Sequence, residues 1–482
     1  MKRVRPIQID WKPDKSITVP MYRQIVQYIC DKVANGEWPI GSRLPSQRLL
    51  AESFQVNRST ISTAIDELTS YGIISGKYGA GTQIISNTWS LMLPTMPSWK
   101  KFISAGYLQE NNKRLQEINR LEFAPDMVRL GTGELDPRLF PQKMWTETLQ
   151  KLSTEITSLG YAEPLGIPEL RQAIVEHMQK LGVNVSTKNI LVISGALQAL
   201  QLIASCMLEE GSTVFTEAPT YLKSLQMFQS AGLKLDGIPM DNDGLEYWAI
   251  ERRLKNVEQS ILYTIPTNQN PTGITMSNAR RQELMDFCIK NRLPIIEDGA
   301  YQELCFDDGP ATPLKAIDEN GMVMYLGSAS KSLAPGLRIG WVIAAEPVIQ
   351  RLGDAKMQMD YGASSLSQLV FAEFLNSGNY DRYLHDLKIE LRKRRDNALE
   401  TLNKYFKDIA TWNVPIGGFY IWLTFNDDVE VDDLFERAIE VGILLNPGDI
   451  YDFKHNRSLR LSFAYVDCGE FSRALEKIAN LC

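Results

Sequence analysis

Ser328-Ala329-Ser330-Lys331-Ser332-Leu333-Ala334-Pro335-Gly336-Leu337-Arg338-Ile339-Gly340-Trp341 is the stretch that decides how this chain folds. Val323-Met324-Tyr325-Leu326, just before it, is a short apolar run of the buried-strand type. A lysine among serines, then a rigid Pro-Gly and an arginine seven residues on, reads as a strand end that presents charge. Working outward, Ile190–Ile193, Thr213–Phe215, Ser260–Thr264 and Pro294–Glu297 are strands of the same kind. Helical segments such as Gly195–Leu208 and Ser277–Asn291 separate them. The alternation predicts an α/β body, from about residue 125 to 482, around a mostly parallel, buried sheet. After about residue 385 the pattern becomes a smaller α+β subdomain: a charged helix, Lys388–Phe406, then strands at Gly417–Leu423 and Ser458–Phe463.

The N-terminal residues follow another plan. Tyr22, Ile25, Ile29 and Val33 mark one face of a helix that Gly36 ends. Ser46 is placed to cap a short second helix carrying Leu49, Leu50, Ala51 and Phe54. A third helix is predicted from Arg58 to Tyr71, with Ile61, Ala64, Ile65 and Leu68 inward and Gly72 as its stop. Ile73–Ile85 reads as two short strands around a glycine-rich tip at Gly79-Ala80-Gly81. Helix-turn-helix plus β-wing is therefore expected over residues 1–87. Residues 88–124 form a connector, broken at Pro94 and Pro97 and anchored by Trp89, Trp99 and Phe102, with Lys113–Leu121 helical.

Length and charge agree with a chain of several parts. At 482 residues more than one core is expected. Net charge is −7, but residues 1–87 hold 11 Lys/Arg against 7 Asp/Glu, a net +4, and the remainder holds 40 against 51, a net −11. A basic small module on an acidic large one suits a chain that meets phosphate at one end. The absence of any apolar run near 18 residues argues against a membrane span. Ile7–Asp14 is no signal core, so a cytoplasmic protein is expected. Six scattered cysteines with no C-x-x-C pair point to reduced thiols. Three histidines without ligand spacing predict no structural metal, and His177, on the face of Leu170 and Ile174, reads as core or interface.

The body's strand ends carry chemistry that converges on pyridoxal phosphate. Lys331 is the candidate Schiff-base amine. Arg338 can fork two bonds onto a phosphate, and Ser328 and Ser330 can donate hydroxyl bonds there. Asp298 ends a strand, where open α/β sheets bind ligands, and would keep a pyridine nitrogen protonated; alone, such an aspartate also serves as a helix cap or turn residue. Tyr301 and Asn270 can reach a phenolic oxygen, although Asn270-Pro271-Thr272-Gly273 alone is merely a turn. Gly195, Ala196 and Leu197 open a helix whose N–H groups can cradle phosphate. Tyr221 offers an aromatic plate, and Arg460 either a carboxylate clamp or a surface ion pair.

Taken together, residues 128–475 resemble a fold-type I aminotransferase, through S-x-S-K-x-x-x-P-G-x-R-x-G, the N-P-T-G turn and the D-x-x-Y pair. The resemblance makes Lys331 the internal-aldimine lysine and Asp298 the pyridinium partner. It assigns Asn270 and Tyr301 to the phenolic oxygen, Arg338 and Ser328 to the phosphate, Tyr221 to stacking and Arg460 to a substrate carboxylate. Tyr161 is similar to the tyrosine that reaches the neighbouring subunit's phosphate, which implies a homodimer. One departure is that Ala196 and Leu197 stand where side-chain phosphate donors are common.

Residues 20–85 resemble the winged helix-turn-helix of the GntR family, through Gly41–Ala51, Val56-Asn57-Arg58-Ser59-Thr60 and the Gly79–Thr82 wing. Arg58, Ser59, Thr60, Ser62 and Thr63 face outward near the start of the third helix, where a recognition helix meets bases; Asp66 and Glu67 face away. Arg43 and Arg48 suit phosphates or guanines, and Lys77 the wing's phosphate or minor-groove contact. Head and body together resemble the MocR branch. The resemblance implies a bacterial regulator that binds operator DNA and senses an amine, an amino acid or pyridoxal phosphate itself. A working aminotransferase with an accessory head is the alternative.

Overall fold

The structure, a computed structural model, describes residues 7, 9–34, 37–77, 81–86, 105–106, 108, 110–255, 257, 259–306, 311–426 and 429–482. Gly36, Gly79, Ala80, Trp89, Pro94, Pro97, Trp99 and Phe102 lie outside the described residues, as does the side chain of Lys77. The chain divides into two compact units, Met1–Tyr107 and Leu108–Cys482.

In the first unit α1 (Met21–Ala34), α2 (Gln47–Phe54) and α3 (Arg58–Ser70) enclose Ile25, Ile29, Phe54, Ile61 and Leu68, all buried. Ser46 caps α2 by accepting from the Leu49 N–H, and Gln55 turns the chain with φ +56°. Leu49, expected among the apolar set of α2, instead points outward at 49% exposure. Leu50, Ala51 and Phe54 already fill the buried face of so short a helix. The wing is the antiparallel pair β1 (Ile74–Lys77) and β2 (Gly81–Ile84). Arg43 bridges to Gln83 of β2, so the α1–α2 turn pairs with the wing as a third segment.

The second unit opens with α4 (Lys113–Leu121). Residues 108–124, expected to belong to a connector, thus group with the body. The cause is local: Ile118 is buried in the body's core, and Arg114 bonds Glu436 at 2.7 Å and Asp432 at 3.1 Å. The body's main sheet uses β3 (Ile190–Ile193), β4 (Thr213–Ala218), β5 (Lys234–Asp241), β6 (Gly244–Leu245), β7 (Ser260–Thr264), β8 (Ile295–Asp298), β9 (Val323–Ser328) and β10 (Gly340–Ile343). Their order is β3-β10-β9-β8-β7-β4-β5-β6. The run β9-β8-β7-β4-β5 is parallel; β10 is antiparallel to β9 and β3, and β6 is antiparallel to β5. β10 reverses because the Pro335–Leu337 turn returns the chain directly alongside β9, without the crossover helix a parallel strand needs. α5 (Pro168–Gln179) and α6 (Ala196–Cys206) bury their apolar faces in the core that the sheet shares.

The C-terminal part begins with α7 (Asn379–Tyr405), longer than the helix expected at Lys388–Phe406. It ends in a four-stranded antiparallel sheet, ordered β11 (Ala410–Trp412), β12 (Tyr420–Phe425), β14 (Ser458–Ser462) and β13 (Asn446–Pro447). Among the described residues, no helix is long and apolar enough to cross a membrane.

Candidate functional site

Parallel neighbours release their loops on one side of the sheet, and this sheet uses that property. β4, β7, β8 and β9 end side by side, at Ala218, Thr264, Asp298 and Ser328. The residues just beyond, Tyr221, Asn270, Tyr301 and Lys331, line one cavity of about 420 Å3 together with Asp298 and Ser328. Gly195, Ala196, Leu197, Ser330, Arg338 and Arg460 line the same cavity. Twelve of the thirteen expected body residues therefore meet. Tyr161 does not; it stands 91% exposed, its ring 5.5 Å from that of Tyr361.

The lysine end of the cleft is held from both sides. Lys331 Nζ donates to the Gly133 carbonyl at 2.7 Å. Its neighbour Ser332 is buried, with its hydroxyl 2.7 Å from Tyr380 OH, and that phenol stands 2.9 Å from Glu303. Glu303 in turn lies 2.9 Å from His177, which is the core residue its helical face predicted. Burial opposes charge on Glu303, but His177 and the Tyr380 hydroxyl outweigh it and hold the carboxyl below its ordinary range.

Asp298 accepts from Tyr263 OH at 2.7 Å and from the Ala300 N–H at 3.0 Å. Burial nonetheless raises its pKa, against those bonds and the charge of Lys331. A buried carboxylate of this kind gains most by sharing a proton with a ring nitrogen. Tyr301 OH meets Tyr420 OH at 2.8 Å, and burial keeps the Tyr301 phenol protonated.

Arg338 and the first turn of α6 form an anion cradle. Arg338 adopts φ +54° and donates to the Ser194 carbonyl at 3.0 Å. Gly195 has φ +95°, and a Cβ there would lie 2.4 Å from Arg338 Nη2, so any side chain at this position would push the guanidinium aside. The Ser194 hydroxyl turns instead to Asp360, at 3.3 Å, which buried Lys356 also holds, at 2.7 Å. The cradle's donors are then Arg338, the α6 N–H groups that lack helix partners, and the hydroxyls of Ser328 and Ser330.

Arg460 is 5% exposed and lies between the rings of Tyr420 and Tyr451, at 4.4 and 4.6 Å. It donates to Asn270 Oδ1 at 2.8 Å and to the Gly131 carbonyl at 2.6 Å, while its Nε has no partner. It is not a surface ion pair. An amine, a buried carboxylate, a phenol and amide pair and an anion cradle fit pyridoxal phosphate, the cofactor whose groups they match in kind and number.

Sequence reading misses one wall. Asn111, Leu115, Ile118, Asn119 and Glu122, on and beside α4, line the cavity, as does Glu134. The signal that could reveal it is the 3–4 spacing of Leu115, Ile118 and Glu122.

On the first unit, Arg43, Arg48, Arg58 and Ser59 are exposed and Thr60 is half-buried. Arg48 lies 3.6 Å from Glu52 with both side chains largely in solvent, a pairing worth about 0.3–0.5 kcal/mol. Arg43 and Arg58 make no ion pair among the described residues. Asp66 is exposed, and Glu67 accepts from Tyr71 OH at 2.6 Å.

A winged helix-turn-helix with an arginine-bearing recognition helix, joined to a pyridoxal-phosphate cleft, defines a class: regulators built on an aminotransferase body. Comparison with known proteins agrees. The aminotransferase class I and II family model matches residues 125–478, and that of bacterial regulatory proteins of the gntR family matches residues 21–84. The chain belongs to the MocR-type transcriptional regulators, which join these two parts. It is 45% identical to an uncharacterised HTH-type transcriptional regulator of Bacillus subtilis (strain 168), YisV, over 98% of this chain and 97% of that one. It is 36% identical to the HTH-type transcriptional regulator NorG of Staphylococcus aureus (strain bovine RF122 / ET3-1), over 90% of this chain and 98% of that one. Among solved structures, Pyrococcus horikoshii kynurenine aminotransferase, in complex with PMP, matches with a TM-score of 0.73 and 30% identity, over 77% of this chain and 95% of that one.

Proposed function

We propose that this protein is a cytoplasmic, homodimeric regulator that binds operator DNA and responds to an amine, an amino acid or pyridoxal phosphate itself. The observation that carries the reading is the convergence of Lys331, Asp298, Arg338 and Arg460 on one cavity of a chain that also carries an arginine-bearing recognition helix. When bound, pyridoxal phosphate supplies an aldehyde that reacts reversibly with primary amines. Lys331 is the amine that holds it, and Asp298 keeps its ring nitrogen protonated. Asn270 and Tyr301 hold its phenolic oxygen, Tyr221 stacks on its ring, and Arg338 with the start of α6, Ser328 and Ser330 binds its phosphate. Arg460 receives the carboxylate of an effector that has one.

The homodimer is supported by the exposed rings of Tyr161 and Tyr361, which pack on one another, and by exposed Leu159 and Met359 beside them in sequence. Tyr161 there would serve the partner's cleft. Arg43, Arg48, Arg58, Ser59, Thr60 and Lys77 contact DNA, and two heads imply two half-sites.

The test uses the full chain loaded with pyridoxal phosphate, an amino-acid panel and 2-oxoglutarate. A change in the cofactor's spectrum and in operator affinity without turnover supports the regulator. Steady multiple turnover makes the protein an enzyme and overturns the reading.

A further inference from the structure

Resting on that reading, the charges around the cavity point to the class of its effector. Among the described lining residues the cations are Lys331, Arg338 and Arg460, and the carboxylates are Asp298, Glu122 and Glu134. Lys331 is matched to the aldehyde, Arg338 to the phosphate, Arg460 to a carboxylate and Asp298 to the ring nitrogen. Glu122 and Glu134 are matched to nothing on the cofactor. Neither makes an ion pair or a side-chain hydrogen bond among the described residues. Glu122 is half-buried at the end of α4, close enough for its charge to act on Arg460.

Arg460 supplies an independent sign that a ligand belongs here, because its buried Nε has no partner. An α-amino acid laid from Lys331 to Arg460 brings its carboxylate against the guanidinium whose charge acts with that of Glu122. A neutral side chain would then leave an uncompensated carboxylate beside desolvated surface, and an acidic one would add repulsion. A side chain ending in a cation pairs with it, while Asn111 and Asn119 offer amide groups and Leu115 packs on its methylenes.

We propose that the effector is a diamino acid, an α-amino acid whose side chain carries a second positive charge, and that Glu122 selects it. The experiment titrates the full-length, cofactor-loaded protein with lysine, norleucine and glutamate, following the cofactor's absorbance. Lysine is expected to act at concentrations at least about tenfold below norleucine, with glutamate weakest. Glu122→Gln should bring lysine and norleucine to within about twofold, and Glu122→Lys should rank glutamate above lysine. Equal potency of lysine and norleucine in the wild type, or a lysine preference that survives Glu122→Gln, overturns the inference and leaves the parent reading standing. If no amine of the three changes the spectrum and borohydride fixes no cofactor on Lys331, the parent reading fails and the inference falls with it.

Discussion

Gly195→Ala separates the fold from the cleft. The new Cβ would lie 2.4 Å from Arg338 Nη2 and 3.1 Å from its Cζ. The clash is with the far end of an exposed, flexible side chain, so Arg338 swings away rather than the backbone breaking. The native glycine sits at φ +95° and ψ 155°, a region essentially reserved for glycine, and placing a side chain there costs about 1–3 kcal/mol. That lowers Tm by a few degrees and no more. Displacing the guanidinium removes a charge-assisted hydrogen bond to phosphate, worth about 1.5–3 kcal/mol. Pyridoxal phosphate should then bind about ten- to a hundredfold more weakly. Equilibrium titration of the apo-protein, followed by cofactor absorbance, measures this beside Arg338→Ala and the double variant. Because both substitutions remove the same contact, the double variant should bind scarcely more weakly than Arg338→Ala alone. Unchanged affinity in Gly195→Ala, or fully additive losses, would refute the proposed cradle.

Lys331→Ala should abolish borohydride fixation of the cofactor while leaving the thermal transition in place; persistent fixation would mean another lysine is the anchor. Arg58→Ala should weaken operator binding by about 1–3 kcal/mol if it reads a base, or flatten the salt dependence by about one unit if it touches phosphate. No change in either would misplace the recognition helix. The His177–Glu303 pair predicts a pH effect on stability. Burial pulls the His177 pKa down, but the neighbouring charge of Glu303 prevails, and it ends above its ordinary 6.5. Its contribution is therefore complete below about 6.5 and is lost as pH rises through the raised value. Glu303, held low, contributes above its ordinary 4.5 and loses that contribution in acid. Thermal melts across pH should show this alkaline decline, and His177→Gln should flatten it; an identical profile in the variant would remove the pair from the account.

The strands legible in the sequence are those with unbroken apolar runs, because a strand covered on both faces has no alternation to hide behind. Lys331, Asp298, Asn270 and Tyr221 can be placed for the same reason: each follows such a run, and parallel neighbours bring their ends together. β5 escapes because its burial is uneven along Lys234–Asp241. β10 escapes because its four residues merge with the arginine motif, and its direction depends on a turn rather than on composition. α4 is legible as a helix at Lys113–Leu121 but reads as part of a connector, because a nine-residue helix with one buried residue says nothing of where it docks. Only long-range partners such as Asp432 and Glu436 reveal where it docks. The Glu303–Tyr380–Ser332 chain is illegible for a similar reason, since its members stand 77 and 48 positions apart.

α4 has a further consequence. It is the first helix of the body after the boundary at Leu108, and its inner side is a wall of the cavity. On the proposed function, an effector in that cavity would touch the helix through which the chain enters the body from the DNA-binding unit. Occupancy would then bear on that helix directly, without a relay through the sheet.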